Sequence, residues 1–342
     1  MDFRPKINEA LFERIFEAVS THTGGEATRI VYSGFPHVEG ETMLDKKNYL
    51  IEHYDDFRKT LMLEPRGHEN MFGALLTEPV HKEADAGVIF MDTGGYLNMC
   101  GHGTIGTVTA LIETGMVEAK EPVTHVTLDA PAGLIRTEAK VTGGHVESVA
   151  LTNVPAFLYK RELVTNIDGR EIEYDISFGG SFFALVDADK LGIEICRENI
   201  GAITDIGMKM LSSVNREQEI KHPELDITTV DLVEFYSKKA SEGATIRNVV
   251  IFGDGMADRS PCGTGCSAKV AQLFGKGKLK EGEKIVSESF IGSRFTAEIV
   301  GKAKVGDFDA VIPRVTGSAE IMSFGKYVVA KGDRLAEGFS VK

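Results

Sequence analysis

Two stretches of the chain repeat each other 162 positions apart, and each puts a cysteine in the same glycine-rich turn. Residues 88–117 and 250–279 align without a gap and agree at ten of thirty positions. Val88-Ile89-Phe90 matches Val250-Ile251-Phe252, Asp92 matches Asp254, and Cys100-Gly101-x-Gly103 matches Cys262-Gly263-x-Gly265. Behind the turns, Val108, Leu111 and Gly115 match Val270, Leu273 and Gly277. An apolar strand run, a turn and a helical period repeated in this order predict two similar halves. With one thiol in each half, a pseudo-twofold axis would aim both at a single site. Two groups placed on opposite sides of one carbon suit moving a proton from one face of it to the other.

A chain of 342 residues is long enough for two domains with separate cores. Its 42% hydrophobic and 26% charged residues are the balance of an ordinary globular enzyme. A formal net charge of −13 argues against nucleic acid or an anionic membrane as a partner. It also means that an anionic substrate would need a local source of positive potential. No apolar run approaches the roughly 18 residues of a membrane-spanning helix. The N-terminus lacks the apolar segment of a signal peptide, so a cytoplasmic location is expected. Four cysteines are too few to make a disulfide framework in a chain of this length.

Alternating apolar residues predict strands over 124–128, 145–153 and 171–178. Helical periods fall over 7–19, 103–114, 191–214 (with a break) and 265–274. Many short strands and few helices, without regular βαβ alternation, indicate a mixed α/β (α+β) chain. Each half is expected to wrap its strands around the helix that follows its cysteine. Ile105, Val108, Leu111 and Ile112 fall on one face of the first helix; Val270, Leu273, Phe274 and Gly277 do so in the second. Gly115 and Gly277 stand where these helices should stop.

Both cysteines precede a Gly-x-Gly at a helix start. The unpaired N–H groups of such a first turn form an anion site and supply the positive potential that the net charge denies. The same end of a helix lowers a thiol's pKa, so a thiolate near neutral pH is expected. Two facing helix starts could hold one carboxylate and stabilise the charge that grows on it as an α-proton leaves. One thiolate would take that proton while the opposite thiol delivered another, with no cofactor. Cys262 and Cys266, four apart on a helix, leave a redox or metal reading open, but no second ligand pair lies nearby, which argues against zinc. Cys266 reads as a helix-face residue and Cys196 as a buried core thiol.

The chain resembles the proline racemase family, which includes 4-hydroxyproline 2-epimerases and trans-3-hydroxyproline dehydratases. The likeness is carried by HTGGEATR at 22–29, LEPRGHENMFG at 63–73, MDTGGYLNMCGHGTIG at 91–106, NVPAFLY at 153–159, DISFGGSFFA at 175–184, HPEL at 222–225 and DRSPCGTG at 258–265. It implies a diaminopimelate epimerase-like fold of two pseudo-symmetric domains, each a curved sheet around a central helix, with the active site in the cleft between them. The first domain would span 1–155 and take back a C-terminal segment near 315–342; the second would span 156–314.

The resemblance makes Cys100 and Cys262 the catalytic acid/base thiols and gives the substrate carboxylate to backbone N–H groups of Gly101, His102, Gly263 and Thr264. It gives the ring nitrogen to Asp258, which as a bare sequence feature also reads as a turn or capping aspartate. Dehydratase relatives carry threonine in place of the second cysteine, so the presence of Cys262 favours racemisation or epimerisation. Phe72, Phe90 and Phe252 match aromatic residues lining the ring pocket in proline-specific members, although apolar strand triplets would also hold such residues as plain core. Proline is the favoured substrate and trans-4-hydroxyproline the alternative; a non-catalytic amino-acid-binding or thiol-redox protein is the reading from another class. Members resembling this chain have threonine at the place of Cys266. His22 and Glu26 flank a glycine pair and read either as site residues or as a side-chain-stabilised turn. Arg66, His68 and Glu69 read as a turn positioning Phe72, and Gly179-Gly180 as a tight bend. The resemblance also implies a homodimer and no cofactor.

Overall fold

The computed structural model describes residues 8–341. Its first half begins with β1 (Phe12–Thr23) and β2 (Glu26–Ser33), followed by α1 (Met43–His53) and α2 (Asp55–Met62). Then come β3 (Phe72–Thr77), β4 (Ala86–Asp92), β5 (Tyr96–Leu97), α3 (Gly101–Glu113), β6 (Val123–Ala130), β7 (Gly133–Thr142) and β8 (His145–Thr152). The second half repeats the plan with β9 (Ala156–Ile167), β10 (Arg170–Phe178), β11 (Phe182–Asp187), α4 (Ala188–Leu191) and α5 (Ile200–Glu217). It continues through β12 (Val230–Ser237), β13 (Ile246–Phe252), β14 (Met256–Ala257), α6 (Gly263–Gly275), β15 (Lys284–Ser289), β16 (Arg294–Val305) and β17 (Phe308–Gly317). The last strand is β18 (Ala319–Ala330).

Strand pairing makes the duplication explicit. β2 pairs parallel with β3 and β3 antiparallel with β4; β11 pairs parallel with β12 and β12 antiparallel with β13. The helices α1–α2 and α4–α5 are the crossovers that each parallel pair requires. β18 pairs with β1 as β9 pairs with β10, so the end of the chain lies against its beginning. Arg66 fastens that return through the Val328 carbonyl (3.0 Å) and Asp333 (2.6 Å). The second set of strands closes into a ring because β17 pairs with both β16 and β9. The first set runs from β18 to β8, and β8 pairs with β17, joining the two. The result is a mixed α/β fold of two pseudo-symmetric halves.

Inside each curved sheet lies one helix. The predicted strands over 124–128, 145–153 and 171–178 are β6, β8 and β10, and the helices after the cysteines are α3 and α6. The amphipathic reading of those helices is corrected: residues 101–112 of α3 are all buried, including Thr104, Thr107 and Thr109. A helix ringed by strands has no solvent face. Two of these threonines donate to backbone carbonyls one turn back, Thr104 to Cys100 O (2.6 Å) and Thr109 to Ile105 O (2.9 Å), while the Thr107 hydroxyl is buried without a hydrogen-bond partner. Gly115 and Gly277 follow the helices with φ of +75° and +67°, the left-handed stop that glycine accommodates.

Two further expectations fail. The helical period over 7–19 belongs to a strand, β1, from Phe12 onward, preceded by a short 3-10 turn at Glu9–Leu11; Ile7 lies outside the described residues. Pairing on both sides with β2 and β18 overrides the local pattern. Cys196 is half-buried rather than a core thiol, because it caps a short 3-10 turn before α5. The helical period over 191–214 has its expected break, which begins at Gly192 (φ +65°), and α5 runs on to Glu217. Among the described residues no helix is long and apolar enough to cross a membrane.

Candidate active site

The two central helices meet end to end at their N-termini. A Cβ placed on Gly101 would lie 3.3 Å from Gly263 Cα, and one placed on Gly263 would lie 3.4 Å from Gly101 Cα. Only two glycines let the backbones come this close. Each cysteine is the residue just before its glycine and caps its helix: Gly103 N–H donates to Cys100 Sγ and Gly265 N–H to Cys262 Sγ, both at 3.4 Å. The duplicated motif thus brings the two thiol-bearing turns to one place. The twofold is imperfect in the backbone, since Cys100 is extended (φ −148°) whereas Cys262 has φ +62°. A non-glycine residue there costs on the order of 1–3 kcal/mol and marks a conformation held by its surroundings.

The variable residue of each Cys-Gly-x-Gly touches its thiol with its side chain. His102 Nδ1 is 3.2 Å from Cys100 Sγ, and Thr264 Oγ1 is 3.5 Å from Cys262 Sγ. Sequence reasoning assigned these two residues only backbone N–H roles and missed the side chains; the signal was a polar residue at the same place in both repeats. Burial pushes the His102 pKa down to about 3, so the imidazole is neutral. A neutral imidazole and a hydroxyl can each accept from a thiol or donate to a thiolate. Both suit a group that alternates between acid and base.

The expected thiolate is corrected. Burial pushes the pKa of both Cys100 and Cys262 well up, and the Asp258 carboxylate adds to the rise at each. The N–H bonds from Gly103 and Gly265 pull the other way and lose. A helix terminus is worth about 0.3–1 kcal/mol at an exposed site, less than the cost of desolvating a charged sulfur. Both thiols are therefore protonated at neutral pH until another charge compensates.

Asp258 is buried, and its Oδ1 accepts from Ser260 N–H (2.8 Å), while Ser260 Oγ accepts from Cys262 N–H (3.1 Å). Burial raises its pKa to about 6. Glu26, also buried, reaches it from the other half: Glu26 Oε2 accepts from Arg259 N–H at 2.8 Å. Burial first, and the Asp258 charge second, push the Glu26 pKa up to about 8. Both folded-state values exceed the ordinary values of 3.8 and 4.5, so between them the native state binds more protons than the unfolded chain. This contribution is complete below about pH 4 and is lost as pH rises through 6 to 8. Urea midpoints are expected to fall over that range, and less steeply in Glu26→Gln.

The three phenylalanines separate. Phe72 and Phe90 press on the first turn of α3, where a Cβ on Gly103 would meet Phe90 at 2.8 Å and Phe72 at 3.0 Å. The Phe72 ring also lies edge-on to His102, with centroids 4.4 Å apart. Phe252 packs with Val250, Cys262 and Ala268 in a small cluster of the second half. Cys266 is wholly buried, and its thiol donates to Pro261 O at 3.3 Å. Thr104, at the same place in the first repeat, also donates to a backbone carbonyl, one residue nearer, at Cys100 O. Cys266→Thr should therefore leave turnover within about twofold, a loss far below the ~1.4 kcal/mol that a tenfold change represents. At the Gly179–Gly180 bend, a Cβ on Gly179 would lie 2.3 Å from Thr264 O, so the bend is packed on the start of α6. Among the described residues no cluster of three or more His, Cys, Asp or Glu could hold a metal ion.

Two strand-wrapped helices meeting at paired cysteine turns define an epimerase-type isomerase scaffold. Comparison with known proteins agrees. The sequence model described as Proline racemase matches residues 18–340. A proline racemase of Clostridioides difficile is 53% identical over 333 residues, covering 97% of this chain and 99% of that protein. One from Acetoanaerobium sticklandii is 49% identical, covering 96% and 99%. A solved hydroxyproline epimerase of Agrobacterium vitis, with bound trans-4-hydroxy-L-proline, superposes with a TM-score of 0.88 at 32% identity, covering 97% and 96%. The chain belongs to the proline racemase family of isomerases.

Proposed function

We propose that the protein interconverts L- and D-proline by a cofactor-independent two-base transfer at the α-carbon, with Cys100 and Cys262 as the acid/base pair. The contact of Gly101 with Gly263 carries this reading, because it puts one thiol turn from each half at a common point. The substrate carboxylate is held by N–H groups of Gly101, His102, Gly263 and Thr264, and the ring ammonium by Asp258. That ammonium offsets the carboxylate charge which raises the pKa of both thiols, so binding itself eases thiolate formation. One sulfur then removes the α-proton while the opposite thiol protonates the other face. Closure of two bodies, residues 1–155 with 315–342 against 156–314, keeps water from the developing carbanion. The protein works in the cytoplasm as a homodimer.

Proline rather than its 4-hydroxy derivative is supported by the relative at 53% identity and by the apolar character of Phe72, Phe90 and Phe252. Leaving a ring hydroxyl without a partner costs on the order of 1–3 kcal/mol. The Agrobacterium vitis neighbour bound to trans-4-hydroxy-L-proline supports the second reading, a 4-hydroxyproline 2-epimerase. Rates on both substrates in D2O decide between them: α-deuteration with loss of optical rotation is expected for proline, with hydroxyproline slower by about 10–100-fold. A faster epimerisation of hydroxyproline would replace the first reading with the second. Phe252→Ser should move the ratio toward the hydroxylated ring.

A further inference from the structure

The turn between β1 and β2 is bonded to both cysteine turns, and the reaction as described above leaves it unused. On one side Thr23 Oγ1 donates to His102 O at 2.9 Å, in the first turn of α3. On the other Glu26 takes the Arg259 N–H at 2.8 Å, between Asp258 and the Ser260 whose hydroxyl holds Cys262. Gly24 and Gly25 pack on the second half: a Cβ on Gly24 would lie 3.1 Å from Ser293 Oγ, and one on Gly25 would lie 2.3 Å from Ile291 Cδ1. The corresponding turn of the second half, Gly179-Gly180, is followed by Ser181 and has no carboxyl group to reach back with. Glu26 therefore breaks the pseudo-symmetry of the fold on the side that carries Asp258.

We propose that Glu26 is a positioning residue of the reaction: from the first half it fixes the Asp258–Ser260 turn of the second, and so sets Asp258 against the ring nitrogen and Cys262 opposite Cys100. This rests on the reading of Asp258 given above. Glu26 does so as the neutral acid. Two buried carboxylates at one turn repel, and the Arg259 charge, which favours ionisation of both, is outweighed by their burial. Arg259 Nη1 donates to Ala257 O (2.7 Å), and Arg29, farther along β2, donates to Leu61 O and lies over the Tyr327 ring at 3.9 Å. The remaining neighbour whose charge interacts with Glu26 is the Cys100 thiol, itself protonated. With Glu26 neutral the pair presents one negative charge, which matches one ring ammonium. Ionisation of Glu26 adds a second charge, pushes Asp258 out of place, and raises the Cys100 thiol further.

The test compares Glu26→Ala and Glu26→Gln with the native chain across pH. Glu26→Ala should raise KM for proline at least tenfold at pH 7. Glu26→Gln, which keeps an acceptor for Arg259 N–H and is neutral, should recover most of that loss. The native KM should climb above about pH 8 while that of Glu26→Gln stays flat. A purely structural residue would not move the pH dependence. If proline is not turned over but hydroxyproline is, the same comparison runs on hydroxyproline, and only the substrate assignment fails. Infrared difference spectra between pH 6.5 and 9.5 need no substrate: a protonated-carboxyl band should disappear in the native protein and be absent from Glu26→Gln. Native KM and pH dependence in Glu26→Ala, or an unchanged band in Glu26→Gln, would overturn the proposal.

Discussion

Serine in place of either Cys100 or Cys262 is expected to lower the rate of racemisation on the order of 10²–10⁴-fold, the range for loss of a general acid or base. The substitution is conservative for the fold. Each sulfur accepts one N–H from its helix, and serine is among the better helix N-caps, so the starts of α3 and α6 keep their capping bonds. What serine cannot do is ionise within reach of neutral pH. Because each thiol serves one face of the carbon, both single variants should fail to invert either enantiomer, measured by polarimetry from L- and from D-proline. Ordinary turnover by a variant with one thiol would dismantle the two-base scheme.

The second large effect is expected at the glycines where the helices touch. Neither Gly101 nor Gly263 has a positive φ, and alanine is favoured over glycine inside a helix by up to about 1 kcal/mol. Gly101→Ala should therefore unfold at the native temperature or slightly above it. Its methyl group nonetheless meets Gly263 Cα at 3.3 Å, so the two turns must separate by a few tenths of an ångström. Valine forces a larger shift, and a misplacement near 1 Å costs about 10²-fold. Losses of roughly tenfold for alanine and 10²-fold for valine in kcat/KM, with melting temperatures held, would show that the contact sets the spacing of the acid/base pair. Equal activity in Gly101→Val would mean that the halves work farther apart.

Much of the architecture was legible because the duplication writes it twice. An apolar triplet, a turn with Cys-Gly-x-Gly and a periodic run ending in glycine can only be strand, turn and helix, and repetition turns a local reading into a two-half fold. β1 was the failure. Its residues fit a helical period, and what makes them a strand is hydrogen bonding to β2 and to β18, some three hundred residues away. The helix faces failed for a related reason: a pattern shows which residues are apolar, not whether strands also cover the polar ones.

The candidate site divides along the same line. The sequence alone determined the kinds of group available: two cysteines in matched turns, free helix amides, a carboxylate four residues ahead of Cys262, and a family with which these agree. These are properties of local spacing. Only the tertiary structure decided how the groups act on one another. It brought Gly101 against Gly263, set His102 and Thr264 beside the sulfurs, and carried Glu26 across to the Asp258 turn. It also reversed the expected thiol ionisation, since a helix end is encoded nearby in sequence whereas the burial that outweighs it comes from packing both halves together.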